Sequence, residues 1–210
     1  MVDVSIPPVV SALAGLATAG QRLGFKDGEA GVQIAELTGV AIASIAARKG
    51  LADDLSAKVQ TLFGLPLPSE PKRVAAGDVS IIWSAPGQWL VVFESGGRQR
   101  VSDLTAALRG LASTTDQSDS RAIIEISGPR VRDVLAKGVM VDLHPSVFAP
   151  GNTAITLVAH VGAQLTCIDA APVYQLMVPR SFCLSFWDWL ISSAEEYGIS
   201  IGAKGDPKKG

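Results

Sequence analysis

Val79-Ser80-Ile81-Ile82-Trp83-Ser84-Ala85-Pro86-Gly87-Gln88-Trp89-Leu90-Val91-Val92-Phe93 is the stretch on which the fold turns. Two runs rich in β-branched and aromatic residues, Val79 to Trp83 and Trp89 to Phe93, flank Ala85-Pro86-Gly87, which predicts a hairpin. Upstream, Val32-Gln33-Ile34-Ala35-Glu36-Leu37 alternates as a strand does, and Val40 to Ala47 continues the β-like run past a turn or bulge at Gly39. Leu51, Leu55, Val59 and Leu62 recur at helical spacing, so Leu51 to Phe63 reads as a helix. Asp53 and Asp54 fall in its first turn, where negative charge suits the helix dipole. Gly64-Leu65-Pro66-Leu67-Pro68 ends that helix, and Ser95-Gly96-Gly97 turns the chain into a second one, Val101 to Leu111.

The C-terminal half repeats the mixture. Arg121 to Ile126 reads as a strand ending at Ser127-Gly128-Pro129, a helix start with proline near its first position. That helix runs to about Lys137-Gly138. Ala154 to His160, Gln164 to Asp169 and Val173 to Val178 read as three strands. Ser181 then stands as the N-cap of a final helix that reaches Tyr197 and stops at Gly198. In that helix Phe182, Phe186, Trp189, Leu190 and Tyr197 share one stripe, and Cys183, Trp187 and Ile191 an adjacent one. So wide an apolar face fits a helix buried on two sides, or one on which Trp187 or a neighbour meets another subunit.

The element order is therefore β-α-β-β-α followed by β-α-β-β-β-α, and each half resembles a ferredoxin-like unit. The expected fold class is α+β, two ferredoxin-like βαββ-type halves packed together around a shared core. The expected divisions are an extended N-terminal arm (1–30), a first half (31–112), a second half (113–200) and a flexible tail (201–210). Pro7-Pro8 and Gly15, Gly20, Gly24 and Gly28 break up the arm, which is expected either to be disordered or to lie over a partner.

A chain of 210 residues can bury roughly 70% of its unfolded surface, so no metal or disulfide staple is required. Charged residues make up 18%, below the usual ~25%, which fits either a compact domain with a small-polar surface or a subunit hidden against partners. The net charge is −2 and the only basic cluster is the tail Lys204 to Lys209, so no stripe for nucleic acid is present. Val9 to Gly20 is too short and too rich in Ala, Gly, Ser and Thr to span a membrane. With Asp3 ahead of it and no Lys or Arg upstream, it does not read as a signal peptide, and a cytoplasmic location is expected. Cys167 and Cys183 then read as reduced core thiols.

The chemistry-bearing residues are few. There is no G-x-G-x-x-G turn and no P-loop, which argues against a standard dinucleotide site. His144 and His160 are the only histidines, and neither stands in a metal-ligand spacing. Cys167 or Cys183 with His160 could pair as nucleophile and base only if the fold brought them together, and neither thiol sits in a nucleophile motif. Asp116-Gln117-Ser118-Asp119 places two carboxylates three residues apart, suited to holding a cation, to proton transfer, or to a polar turn before a strand. Ser127-Gly128-Pro129-Arg130 at a helix start has a weak anion-binding form.

Several segments together resemble sarcosine oxidase gamma subunits. Trp83-Ser84-Ala85-Pro86-Gly87-Gln88-Trp89-Leu90 is similar to that family's W-x-x-P-x-x-W-L hairpin, and Asp116-Gln117-Ser118-Asp119-Ser120-Arg121 to its DQSD-x-R segment. Ser127-Gly128-Pro129, Val134-Leu135-Ala136-Lys137-Gly138 and Asp142-Leu143-His144-Pro145 with Phe148 and Gly151 follow in the family's order. Pro179-Arg180-Ser181-Phe182 and Glu195-Glu196-Tyr197-Gly198 match the closing helix, and Ser11 to Leu16 has a family look in the arm. The resemblance implies a fold like the folate-binding domain of aminomethyltransferases and a place in a heterotetramer with alpha, beta and delta subunits. That enzyme oxidises sarcosine to glycine, with hydrogen peroxide and formaldehyde or 5,10-methylenetetrahydrofolate as products. It also implies that FAD, FMN, NAD and zinc reside on the other subunits and that the arm and some tryptophans are buried against the alpha or beta chain. It carries over no catalytic, cofactor-binding or metal-ligating residue to this sequence. The rival expectation is a stand-alone folate-binding or aminomethyl-transfer protein using Asp116 or Asp119.

Overall fold

The computed structural model describes residues 10–24 and 28–202. Pro7-Pro8 and the basic cluster Lys204 to Lys209 lie outside the described residues. The strands, in chain order, are β1 (Arg22–Leu23), β2 (Val32–Leu37), β3 (Ala41–Ala47), β4 (Arg73–Ala76), β5 (Val79–Ala85), β6 (Gln88–Phe93), β7 (Ala112–Asp116), β8 (Arg121–Ser127), β9 (Thr153–Val158), β10 (Val161–Asp169), β11 (Val173–Pro179) and β12 (Ile199–Ile201). The helices are α1 (Ala52–Phe63), α2 (Gln99–Ala107), α3 (Val131–Ala136) and α4 (Cys183–Ala194). They build a seven-stranded sheet in the order β1-β12-β2-β8-β11-β10-β9 and a five-stranded sheet in the order β4-β5-β6-β3-β7. Every pairing is antiparallel except β12 with β2.

Alternation along the central strands shows how the layers stack. In β3, Ala41, Ala43 and Ile45 pack with Leu55 and Val59 of α1 and Val101 and Leu104 of α2, whereas Ile42 points the other way. In β6, Trp89, Val91 and Phe93 face those helices while Leu90 and Val92 face away. The larger sheet mirrors this pattern. Ile124 and Ile126 of β8 and Tyr174, Leu176 and Val178 of β11 pack with α3 and α4, while Ile123 and Met177 face away. The residues that face away meet in a third cluster, Leu37, Ile42, Ile82, Leu90, Val92, Ile123 and Met177. The fold is thus helices, sheet, sheet, helices, with two sheet–helix cores and one apolar layer between the sheets. Strands buried on both faces read as continuous apolar runs, which is why Val79 to Phe93 is apolar nearly throughout.

The hairpin forms with its turn at Pro86-Gly87, Ala85 opposite Gln88, and a register shift between Trp83 and Ala85. Gly87 has φ +71, a left-handed conformation that a side chain would strain. Trp89 donates its indole N–H to the Pro68 carbonyl at 2.7 Å, so this tryptophan is satisfied within its own domain. Trp187 is buried in the chain's own larger core.

Other expectations change. β2, placed in the first half by the 31–112 division, pairs with β8 and β12 and belongs to the larger sheet. β1, β4, β7 and β12 were not foreseen. β1 and β12 have two and three residues, β4 opens on Arg73, and Ala-Ser-Thr-Thr-Asp of β7 carries no apolar alternation. Ser181 is not a cap: it lies in a 3-10 turn, Arg180–Phe182, and Phe182 occupies the N-cap of α4 with no side-chain capping bond. α3 begins two residues beyond Pro129. Ile201, assigned to the flexible tail, is a buried residue of β12, held because its strand extends the sheet beside β2. The described part of the arm takes a course the sequence did not suggest. Leu13 is 1% exposed in the core of the larger sheet, and β1 pairs with β12 at that sheet's edge.

Ile42→Ala is expected to lower the unfolding free energy by about 2–4 kcal/mol, because it opens a cavity in the layer joining the sheets. Urea denaturation followed by tryptophan fluorescence reads this as a lower midpoint with one transition.

Candidate functional site

The segment Asp116 to Ser120 carries the chain from the smaller sheet to the larger one, since β7 ends at Asp116 and β8 begins at Arg121. The Gln117 amide donates to the Ile42 carbonyl at 2.7 Å, and the Ile42 amide donates to Ser118 Oγ at 3.0 Å. Ser118 in turn donates its amide (2.9 Å) and hydroxyl (2.6 Å) to Asp116 Oδ1. Asp119 points elsewhere and pairs with Arg98 at the start of α2. The two carboxylates therefore do not converge: one shapes a turn, and the other ties the crossover to a helix. Ser118 supplies a partner for the Ile42 amide at the start of β3, one residue beyond the point where the pairing with β7 ends at Ala43 and Asp116.

The remaining candidates are similarly engaged. The Arg130 amide donates to Gly31 at 3.0 Å, its guanidinium lies 4.6 Å from the centre of the Tyr197 ring, and Nε pairs with Asp133 at 3.0 Å. That leaves the short α3 no open anion cradle. His144 sits in an exposed loop, with Nδ1 2.7 Å from Ser146 Oγ and its amide donating to Asp142. His160 stands at the β9–β10 turn, and Cys167 lies seven residues further along the strand, about 23 Å away at ~3.3 Å per residue. The two do not form a nucleophile–base pair. Cys167 is buried against Tyr174, whose hydroxyl accepts from Arg132 Nε at 3.0 Å. Burial raises the pKa of both Cys167 and Tyr174, so neither is primed to ionise. Cys183 is buried at the start of α4, and both cysteines are free thiols. Burial first, then the charge of Glu36, opposed by Arg180, pushes the Cys183 thiol up to about 11. Among the described residues no group of three or more His, Cys, Asp or Glu could hold a metal ion. Among them, too, no helix is long and apolar enough to cross a membrane.

What the sequence did not mark is exposed apolar surface. Met140, just past α3, is 81% exposed, and Ile155 and Leu157 project from β9, the outer strand of the larger sheet. Lys137, Met140, Leu157, Ala159 and His160 line a depression of about 310 Å³ beside them. Ala159 and His160 hold φ of +47° and +72°, an uncommon conformation for residues with a side chain. Such a two-residue hairpin loop matches the twist of its strands, and the pairing of Val158 with Val161 beneath it holds the strained pair. At the start of α4 Phe182 and Leu184 are each 54% exposed. A smaller hollow of about 200 Å³ lies between α1 and α2, with Phe63, Leu104 and Arg100 around it. Arg100 lies over the Phe93 ring at 4.6 Å and pairs with Asp78 at 2.9 Å. The available sign was that Ile155 and Leu157 are apolar on a strand whose alternate residues, Ala154 and Val158, already fill the core.

Comparison with known proteins gives this surface its context. The sequence signature described as "Sarcosine oxidase, gamma subunit family" matches residues 48–196. This chain belongs to the sarcosine oxidase gamma subunit family. A sarcosine oxidase subunit gamma from Arthrobacter sp. is 30% identical over 145 residues, covering 67% of this chain and 70% of the relative. The fold is similar to a chain of the heterotetrameric sarcosine oxidase from Corynebacterium sp. U-96, with a TM-score of 0.77 and 24% identity over 90% of this chain and 95% of that one. It is also similar to the glycine cleavage system aminomethyltransferase T from Bartonella henselae, with a TM-score of 0.57 and 10% identity. That match covers 82% of this chain and 48% of the other protein. The gamma-subunit family accounts for the α+β fold and for the aminomethyltransferase-like architecture. It makes the chain a subunit of an oxidoreductase.

The Cys183 thiol generates a pH dependence of known sign. Its folded pKa is raised, so its neutral form contributes stability in full below the ordinary thiol pKa of about 8.5, and this is lost as pH rises through about 11. The urea midpoint is expected to fall across that window, and to fall less steeply in Cys183→Ala; equal slopes would assign the loss to other groups.

Proposed function

We propose that this chain is the non-catalytic gamma subunit of a heterotetrameric sarcosine oxidase and contributes to its assembly rather than to its chemistry. The complex demethylates sarcosine oxidatively to glycine, with hydrogen peroxide and formaldehyde or 5,10-methylenetetrahydrofolate as products. In this reading alpha, beta and delta subunits are its partners, they carry FAD, FMN, NAD and zinc, and the complex works in the cytoplasm. One observation carries the proposal: the polar residues with chemical potential are engaged in holding the fold, while large apolar side chains at Met140, Ile155 and Leu157 face solvent. Permanent hetero-complexes join through apolar surface of this kind.

Co-expression with the partner subunits tests the proposal. The double variant Asp116→Asn/Asp119→Asn is expected to leave sarcosine turnover of the purified complex unchanged, because Asn keeps the turn and an exposed ion pair contributes under about 1 kcal/mol. The double variant Met140→Asp/Leu157→Asp is expected to lower recovery of the assembled complex by about tenfold or more, with the isolated chain still folded. Loss of turnover in the Asp116/Asp119 variant with assembly intact would favour the folate-binding or aminomethyl-transfer reading instead.

A further inference from the structure

Residues 10–24 differ from the rest of the molecule in how they are held. Of these fifteen positions Leu13 alone is buried; the others are half-buried or exposed. Two side chains of the larger sheet region hold the segment's first residues. The Glu36 carboxylate accepts from the Ser11 hydroxyl, from the Ala12 amide at 2.8 Å and from the Leu13 amide at 3.4 Å. Arg180 Nη2 donates to the Val10 carbonyl at 2.6 Å. Farther along, Gly20 donates to the Ile201 carbonyl and the Ile201 amide donates to the Gln21 carbonyl, each at 2.8 Å, and the two residues of β1 pair with β12. A segment with one buried anchor, held otherwise by part-buried or exposed hydrogen bonds, sits at the low end of local stability.

We propose that residues 10–24 are a strap that opens as a unit from the larger sheet, released through Glu36 and Arg180, and that its opening uncovers the Cys183 thiol at the start of α4. The placement of Cys183 supports this. It begins α4 three residues after Arg180, which holds the Val10 carbonyl, and like Cys167 it belongs to the apolar cluster that contains Leu13. Glu36 and Arg180 are also the two charged groups whose fields act on its thiol. Cys167 is equally buried but lies on β10, paired with β9 and β11, far from the strap in the sheet order. The molecule thus contains a reporter of strap opening and a reporter of global unfolding. The inference concerns the chain by itself and does not rest on its assembly role.

Alkylation of the full chain by iodoacetamide at pH 8, with each thiol followed by mass spectrometry, tests it. When opening and closing are fast, labelling tracks the opened population. Cys183 is expected to react faster than Cys167. Glu36→Gln, which weakens charge-assisted bonds to the strap and also removes a charge that raises the Cys183 pKa, is expected to speed labelling of Cys183 about tenfold and to leave Cys167 unchanged, so that Leu13→Ala is the variant that reads opening alone. Leu13→Ala, which removes the anchor and leaves the latch intact, is expected to act in the same direction. The proposal is overturned if both thiols accelerate in parallel in these variants, or if Cys183 is unaffected by either.

Discussion

The layer between the two sheets is the constraint on which the molecule depends. Ile42, Ile82, Leu90 and Val92 of the smaller sheet meet Leu37, Ile123 and Met177 of the larger one. Each sheet is covered by helices on its other face, so its central strands are buried on both sides and every residue along them must suit one of two interiors. A shift of one residue in β3, β6, β8 or β11 would exchange those interiors, and register is therefore strongly specified. The polar crossover from Gln117 to Ser120 follows from the same arrangement. A chain that passes between two packed sheets must satisfy the backbone it leaves behind, and Ser118 does so for Ile42.

This explains which parts of the fold were legible in the sequence. Val32 to Leu37, Leu51 to Phe63 and the Trp83/Trp89 hairpin carry periodicities and turn residues that local physics reads directly, and each lies within a residue or two of its expected place. What was not legible was tertiary. Nothing in Val32 to Leu37 says that this strand pairs with β8 some ninety residues later rather than with its sequence neighbour β3. The short strands β1 and β12 exist because a sheet edge is available to them, and Ala112 to Asp116 is a strand because β3 offers its free side. Leu13 looked like part of an unstructured arm because its burial depends on Glu36 and on the core beneath α4.

The candidate site was legible chiefly by exclusion. Sequence reasoning named Asp116, Asp119, Arg130, His144, His160, Cys167 and Cys183, and the structure gives all but His160 a bonded or buried role within the chain. His160 instead lies on the rim of the depression beside Met140 and Leu157. The exposed apolar residues were missed because strand alternation does not reveal which face another layer covers. The smaller sheet extends over Gln164, whose side chain reaches the Trp83 carbonyl at 3.2 Å, while Ile155, directly across from Gln164 on β9, is left uncovered.

The central claim is that this chain works through surface rather than through a reaction centre, and hydrogen exchange measured on the chain alone and within the assembled oxidase tests it most directly. The account predicts that protection rises on assembly over residues 138–158, where Met140, Ile155 and Leu157 lie, while the backbone around Asp116 and Asp119 changes little. Unchanged protection over 138–158, with new protection around Asp116 to Asp119 when tetrahydrofolate is added to the isolated chain, would contradict it.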